Sequence, residues 1–122
     1  MPVRIARKYE YQGSVTLSSL NTETALIDLG DFSDTIILEG YVDLREFAEG
    51  DTVEIRVYIA VDGTNRVKYD SLKFNGPVDP PVVHLTAMTL PKNAKPKVTV
   101  TQTAGTLRTV YYYFVVEEME EI

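Results

Sequence analysis

The only histidine, His84, is the first residue to weigh for chemistry. Because the sequence has one histidine and no cysteine, a Ser-His-Asp triad would have to use His84. Neither a two-histidine metal site nor a thiolate site can form within one chain. Alternation along Val82–Leu90 predicts that His84 shares a strand face with Val82, Thr86 and Met88. We interpret His84 as an ordinary strand histidine, with a catalytic or ligand role as the alternative.

Three aspartates, Asp28, Asp31 and Asp34, surround Gly30. Carboxylates gathered in a loop can bind Ca²⁺ through their oxygen atoms, but this spacing lacks the glycine and the distal glutamate of an EF-hand loop. A solvated acidic turn and a calcium site therefore both stay open. The 18 Asp and Glu residues are spread over the whole chain, so no carboxylate pair for glycoside hydrolysis can be selected. The glycines form neither a phosphate loop nor a dinucleotide fingerprint. We assign no catalytic, cofactor-binding or metal-binding residues.

Four consecutive aromatic residues, Tyr111 to Phe114, dominate the last predicted strand. Alternation places Val110, Tyr112, Phe114 and Val116 in one row and Tyr111, Tyr113 and Val115 in the other. A strand that is apolar on both faces is either covered twice or offers one face to a partner. Tyrosine is favoured at protein contacts, so the alternatives are an assembly surface and tyrosines that lie over a solvated sheet.

The charges are segregated towards the two ends of the chain. Basic residues stand near the beginning and acidic residues near the end, namely Arg4, Arg7 and Lys8 against Glu117, Glu118, Glu120 and Glu121. Two solvated termini would explain this. The alternative is that the first and last strands are neighbours and their charges pair, within one chain or between copies.

The composition restricts the class of protein. A net charge of −6 opposes binding to nucleic-acid phosphates. The N-terminal residues do not read as a secretory signal, and no apolar run approaches a membrane span, so we expect a protein that stays where it is made, without a membrane. Few amides, no cysteine and many Val, Ile, Tyr, Glu and Lys residues are typical of heat-stable proteins.

Period-two alternation predicts eight strands in one all-β domain, residues 1–122, most simply an antiparallel β-sandwich. The clearest strand is Thr52–Val61, with Val53, Ile55, Val57, Ile59 and Val61 on one face. Gly40 predicts a bulge or a close backbone approach, and Asp62-Gly63-Thr64-Asn65 predicts a hairpin. The predicted strands are Tyr9–Ser19, Ala25–Leu29, Thr35–Leu44, Thr52–Val61, Arg66–Phe74, Val82–Leu90, Lys97–Thr103 and Leu107–Glu118.

The segments Glu49–Tyr58 and Lys97–Gly105, followed by Arg108 and the aromatic last strand, resemble small jelly-roll structural proteins of archaeal and thermophilic viruses. The resemblance implies a jelly-roll-like sandwich and a virion component, a capsid or capsid-decorating protein in the virion or the host cytoplasm. It carries over no catalytic residue and no cofactor.

These observations predict a non-enzymatic structural protein that forms homo-oligomers or joins a larger shell. The predicted self-association surface comprises Tyr58, Tyr69, Tyr111, Tyr113, Arg4, Arg7, Lys8, Glu117 and Glu118. The first alternative is a carbohydrate-binding β-sandwich module that uses exposed tyrosines and a loop carboxylate. The second alternative is an enzyme on a jelly-roll scaffold, which is disfavoured because metal chemistry on such barrels usually needs several histidines. Strand order, oligomeric state, partner and source stay open.

Overall fold

The computed structural model describes residues 2–121, and this part of the chain folds into eight β-strands without a helix. The strands are β1 (Val3–Thr16), β2 (Thr24–Asp28), β3 (Ile36–Asp43), β4 (Thr52–Ile59), β5 (Val67–Asn75), β6 (Val82–Leu90), β7 (Lys97–Ala104) and β8 (Thr109–Glu121). All pairings are antiparallel. The predicted eight-stranded antiparallel sandwich is confirmed.

The strands form two sheets of four. The first sheet has the order β1-β8-β3-β6 and the second the order β2-β7-β4-β5. Only the β4–β5 connection joins neighbours within one sheet, and every other connection crosses between the sheets. Two interlocked four-stranded sheets with such crossovers are the jelly-roll arrangement, which distinguishes the fold from an immunoglobulin-like sandwich.

The core fills the space between the sheets. Alternate residues of the central strands point inward and are almost fully buried, namely Ile36, Leu38, Val42, Val53, Ile55, Val57, Val98, Val100, Val110, Phe114 and Val116. Burial of side chains of this type stabilises a fold by roughly 1.5–3 kcal/mol each. Of the two rows that alternation predicts for the last strand, the one with Val110, Phe114 and Val116 faces the core.

Two glycine predictions are also confirmed. The register of β3 against β6 shifts between Leu38 and Gly40, and a Cβ on Gly40 would collide with the fully buried Phe114 ring. Gly63 has a φ of +82° in the β4–β5 hairpin, a conformation that favours glycine. The Asp62 carboxylate accepts hydrogen bonds from the amides of Thr64, at 2.8 Å, and Asn65, at 2.7 Å.

Several strand ends differ from the sequence prediction by one to three residues, and three differences change which residues pair or point inward. The strand β1 begins at Val3 rather than Tyr9, because β8 provides a backbone partner there, although the apolar side chains Val3 and Ile5 stay exposed. The strand β4 ends at Ile59, and the phase changes there, so Ala60 is buried and Val61 is 80% exposed. A bulge in β6, between Leu85 and Met88, changes the phase of that strand. Met88 therefore packs inward against the core instead of sharing the face of His84.

Asp51 fastens the loops at one end of the sandwich. Its carboxylate is 2% exposed and accepts hydrogen bonds from the Ala48 amide at 2.8 Å, the Thr106 amide at 2.9 Å and Arg108 Nε at 2.7 Å. Burial alone would raise the pKa of Asp51, but the Ala48 amide, the Arg108 guanidinium and the Thr106 amide outweigh it and lower that pKa. The β3–β4 and β7–β8 connections are thereby joined.

No helix long and apolar enough to cross a membrane occurs between residues 2 and 121.

Candidate functional site

The outer face of the first sheet carries a row of ring-bearing side chains that runs across the strands. The registers place Tyr113 of β8 between Gln12 of β1 and Tyr41 of β3, and His84 of β6 beside Tyr41. Tyr111 precedes Tyr113 by two residues and therefore points to the same face of the sheet. We call this surface, defined by Tyr41, Tyr111, Tyr113, Val115 and His84, the aromatic face.

Carboxylates fix the two tyrosines of β8. The Tyr111 hydroxyl donates to Glu46 Oε2 at 2.5 Å, and the Tyr113 hydroxyl donates to Glu10 Oε2 at 2.9 Å. These bonds lower the pKa of Glu46 and Glu10. The same bonds raise the pKa of Tyr111 and Tyr113. Both phenols therefore stay neutral and hold fixed directions on the sheet.

A shallow depression lies at one end of the aromatic face. It has a volume of about 370 Å³ and is lined by Gln12, Gly13, Tyr41, Asp43, Arg45, Val82, Tyr111, Tyr112 and Tyr113. The Arg45 guanidinium lies 4.2 Å from the centre of the Tyr111 ring, within the range of a cation–π interaction. Arg45 Nε also lies 3.5 Å from Asp43 Oδ2. A charged pair thus borders an aromatic surface.

His84 lies on the aromatic face and is engaged by two neighbours. Its Nε2 atom is 2.5 Å from Glu39 Oε2, and its ring stacks on Tyr41 with centroids 4.9 Å apart. The side chain is 45% exposed. This environment is that of a surface strand histidine that orients an aromatic neighbour.

The charged ends of the chain are brought together, as one of the two sequence alternatives predicts. The strands β1 and β8 are neighbours, with Arg4 opposite Glu120 and Lys8 opposite Glu117. Arg4 and Glu120 form an ion pair of 2.5 Å. Both side chains are exposed, and exposed pairs contribute only about 0–1 kcal/mol. The basic and acidic ends therefore meet within one chain, and the prediction that they also contact a partner stays a prediction.

Glu118 does not belong to the accessible surface on which the sequence analysis placed it. The residue is 4% exposed, and it accepts hydrogen bonds from the Ser33 amide at 2.8 Å, the Ser33 hydroxyl at 2.9 Å and the Tyr9 hydroxyl at 3.2 Å. The Ser33 amide is the main cause of its lowered pKa. Even-numbered residues of β8 point inward, so Glu118 fastens the β2–β3 loop instead of facing solvent.

The tyrosines of the predicted self-association surface lie on three different parts of the molecule. Tyr111 and Tyr113 lie on the aromatic face, whereas Tyr58 lies on the outer face of the second sheet and donates to Glu23 Oε2 at 2.6 Å. Tyr69 belongs to the edge strand β5 and is 58% exposed. One flat contact therefore cannot include all four.

The outer face of the second sheet is occupied by polar side chains. Glu54 is 6% exposed and accepts hydrogen bonds from Arg56 Nη2 at 2.7 Å and from the Ser71 hydroxyl. These donors, Arg56 first, lower the pKa of Glu54 to about 2. This face is therefore closed by its own ion pair rather than open and apolar.

The three aspartates considered for calcium are separately engaged. Asp28 Oδ1 lies 2.5 Å from Arg66 Nη2, and Asp31 Oδ1 lies 3.0 Å from Lys95 Nζ. Asp34 Oδ1 accepts a hydrogen bond from the Thr35 amide at 2.6 Å. Within residues 2–121, no three acidic or histidine side chains converge on one point. The solvated acidic turn is the alternative that these contacts favour.

Sequence reasoning missed Tyr41 as a member of the site. Tyr41 is 43% exposed and joins Tyr113 to His84 across the sheet. A weak signal was available, because Tyr41 is an aromatic residue in the outward phase of a strand whose inward phase is Ile36, Leu38 and Val42. The carboxylates that accept hydrogen bonds from the phenols, Glu46 and Glu10, lie on other parts of the chain, so no local sequence pattern predicts these contacts.

Comparisons with known proteins show similarity of fold. No protein-family model and no curated protein matches the sequence. The chain is similar to the VP2 subviral particle of infectious bursal disease virus, with 13% identity and a TM-score of 0.51, over 92% of this chain and 32% of the viral chain. The Gx strain of that virus gives 12% identity and a TM-score of 0.53, again over 92% and 32%. The chain thus spans about a third of the viral chains it matches.

Proposed function

We propose that the chain is a non-enzymatic structural subunit that self-associates through its aromatic face, as a viral capsid or capsid-associated component. The observation that carries this proposal is a sheet whose inner face is packed against the core and whose outer face presents Tyr41, Tyr111, Tyr113 and Val115, with no covering element among residues 2–121. Aromatic residues on an open face are typical of contact surfaces.

The carboxylates favour a contact role because they reduce its entropic cost. Ordering a side chain at an interface costs about 0.5–1.5 kcal/mol. The phenols of Tyr111 and Tyr113 are already ordered by Glu46 and Glu10, so a partner meets rigid rings with large contact area.

The likeness of fold is consistent with this role. The similar chains of infectious bursal disease virus are described as a subviral particle and as T=1 particles. A jelly roll in this chain would likewise supply a rigid block with flat outer faces for assembly.

The test is the solution mass of the double variant Tyr111→Ser with Tyr113→Ser. We expect the wild-type oligomer, measured by light scattering over a range of concentrations, to shift to smaller species in the double variant. The matched control is Tyr69→Ser, an exposed tyrosine on the edge strand β5, which should leave the mass unchanged. Circular dichroism verifies that each variant is folded. Unchanged association of a folded double variant would refute the proposal.

A carbohydrate-binding module is the second candidate. The depression of about 370 Å³ favours it, because aromatic rings and the Asp43–Arg45 pair line the same concave surface. Concave sites with few polar groups are typical of ligand binding. Binding on a glycan array that is lost in Tyr41→Ala would support this candidate, and an array without binding would remove it.

A further inference from the structure

We propose that two copies of this chain pair antiparallel through their β1 strands, about a two-fold axis at Tyr9. The inference goes beyond the proposed function, since it adds to the aromatic face a second contact between copies, at the open edge of the same sheet.

The first observation is that β1 is an open edge. It pairs with β8 on one side only, it is 14 residues long and it contains no proline. The amide of the following residue, Leu17, donates to the carbonyl of Arg108 at 3.0 Å, so Leu17 points towards the β8 side. Successive residues of a strand point their backbone groups to opposite sides, and the register is unbroken from Arg7 to Thr16. The even-numbered residues from Lys8 to Thr16 therefore direct N–H and C=O to the open edge.

The other three edges are less suited to strand addition. The strand β2 has 5 residues, and β5 and β6 have 9 each. The pairing of every edge strand contains one register shift, but that of β1 lies near its beginning, between Ile5 and Arg7, and leaves ten consecutive pairs from Arg7 to Thr16. Short and bulged edges are the usual protection against edge pairing, so β1 is the longest regular template.

The second observation is that the stretch Arg7-Lys8-Tyr9-Glu10-Tyr11 is complementary to itself when it is read in the opposite direction. With the axis at Tyr9, Lys8 lies opposite Glu10 of the second copy, and Glu10 lies opposite the second Lys8. Arg7 lies opposite Tyr11 of the second copy, in position for a cation–π contact. Directly opposite residues interact on the same face of a sheet.

The charged pairs are on one face already. Lys8 Nζ lies 3.4 Å from Glu10 Oε1 within the chain, so both side chains point the same way. In the paired strands each of these four charges gains an opposite charge across the interface in addition to the one on its own strand. The four charges, Lys8 and Glu10 of each copy, therefore alternate in sign around a square.

The charges also select this register from its neighbours. An axis at Lys8 or at Glu10 would place like charges directly opposite, which is destabilising. An axis at Gln12 would pair more backbone groups but would leave both charges opposite uncharged side chains. The axis at Tyr9 is the one that brings Lys8 against Glu10.

The experiment is a charge swap, measured as the dimer dissociation constant by sedimentation equilibrium at low salt. The variants are Lys8→Glu, Glu10→Lys and the double variant with both changes. Each single change turns two attractive pairs into repulsive ones. We therefore expect the dimer dissociation constant to rise roughly tenfold or more. The double variant restores opposite charges across the interface, so it should dimerise several-fold more tightly than either single variant. It stays weaker than wild type, because Glu117 lies opposite residue 8 within the chain and the bond from the Tyr113 hydroxyl to Glu10 is lost.

The outcomes separate this inference from the proposed function. Single variants that dimerise as wild type, or a double variant that stays as weak as the singles, would overturn pairing at Tyr9. If such an oligomer still responds to Tyr111→Ser with Tyr113→Ser, the proposed function stands alone. A strict monomer at all concentrations would overturn both.

Discussion

Replacing Asp51 by alanine should strongly destabilise the fold. The carboxylate is buried and accepts three hydrogen bonds, two from backbone amides and one from Arg108. Hydrogen bonds to charged groups contribute roughly 1.5–3 kcal/mol each, and buried donors left without a partner cost about as much. With some relaxation of the loops, we expect Asp51→Ala to lower the free energy of unfolding by about 4 kcal/mol.

The matched control is Asp62→Ala. Asp62 also accepts three hydrogen bonds, from the Thr64 amide, the Asn65 amide and the Asn65 side chain, but it lies on an exposed hairpin. Water can replace the lost bonds there, so the expected loss is at most about 1 kcal/mol. Each variant removes three hydrogen bonds, and the two variants differ in whether the lost carboxylate is buried.

Urea unfolding of the monomeric state at pH 7, followed by circular dichroism, measures both losses. A loss of about 4 kcal/mol for Asp51→Ala corresponds to a melting temperature lower by roughly 10–20 °C in a domain of this size. Equal effects of Asp51→Ala and Asp62→Ala would refute the reasoning, because burial would then not decide the cost.

Two further predictions concern packing and pH. Gly40→Ala should lower the free energy of unfolding by about 1–3 kcal/mol, because its Cβ would collide with the buried Phe114 ring. The control Gly30→Ala, which has open space around it, should change that free energy by less than about 0.5 kcal/mol. Similar urea midpoints for the two variants would contradict this reasoning. Glu54 has a folded-state pKa of about 2, lowered by Arg56, so its contribution is present above the unfolded-state pKa of about 4.3 and is lost as the pH falls towards 2. Wild type should therefore lose more stability between pH 6 and pH 3 than Glu54→Gln, and parallel losses would contradict the assignment.

The sequence determined the eight strands and most of their inward faces, with Val61 and Met88 as exceptions. Period-two alternation depends on local geometry alone, so the eight strands, the hairpin at Gly63 and the row Val110, Phe114 and Val116 were all predictable. The same local reasoning gave the outward position of Tyr111 and Tyr113, since alternate side chains of a strand point to opposite faces.

Tertiary structure decided which strands are neighbours and therefore what each side chain meets. The strand β8 lies between the distant strands β1 and β3, and that placement sets Tyr41 beside Tyr113. It also extends β1 to Val3, because backbone pairing needs a partner strand and not an apolar pattern.

Burial of charge likewise depended on contacts between distant parts of the chain. Glu118 resembles its acidic neighbours in sequence, yet it is buried because Ser33 and Tyr9 supply donors. In sequence, Asp28 and Asp31 resemble a cation site, but in the fold they form ion pairs with Arg66 and Lys95. A local pattern specifies which way a side chain points, whereas the partner that meets it is brought by the fold.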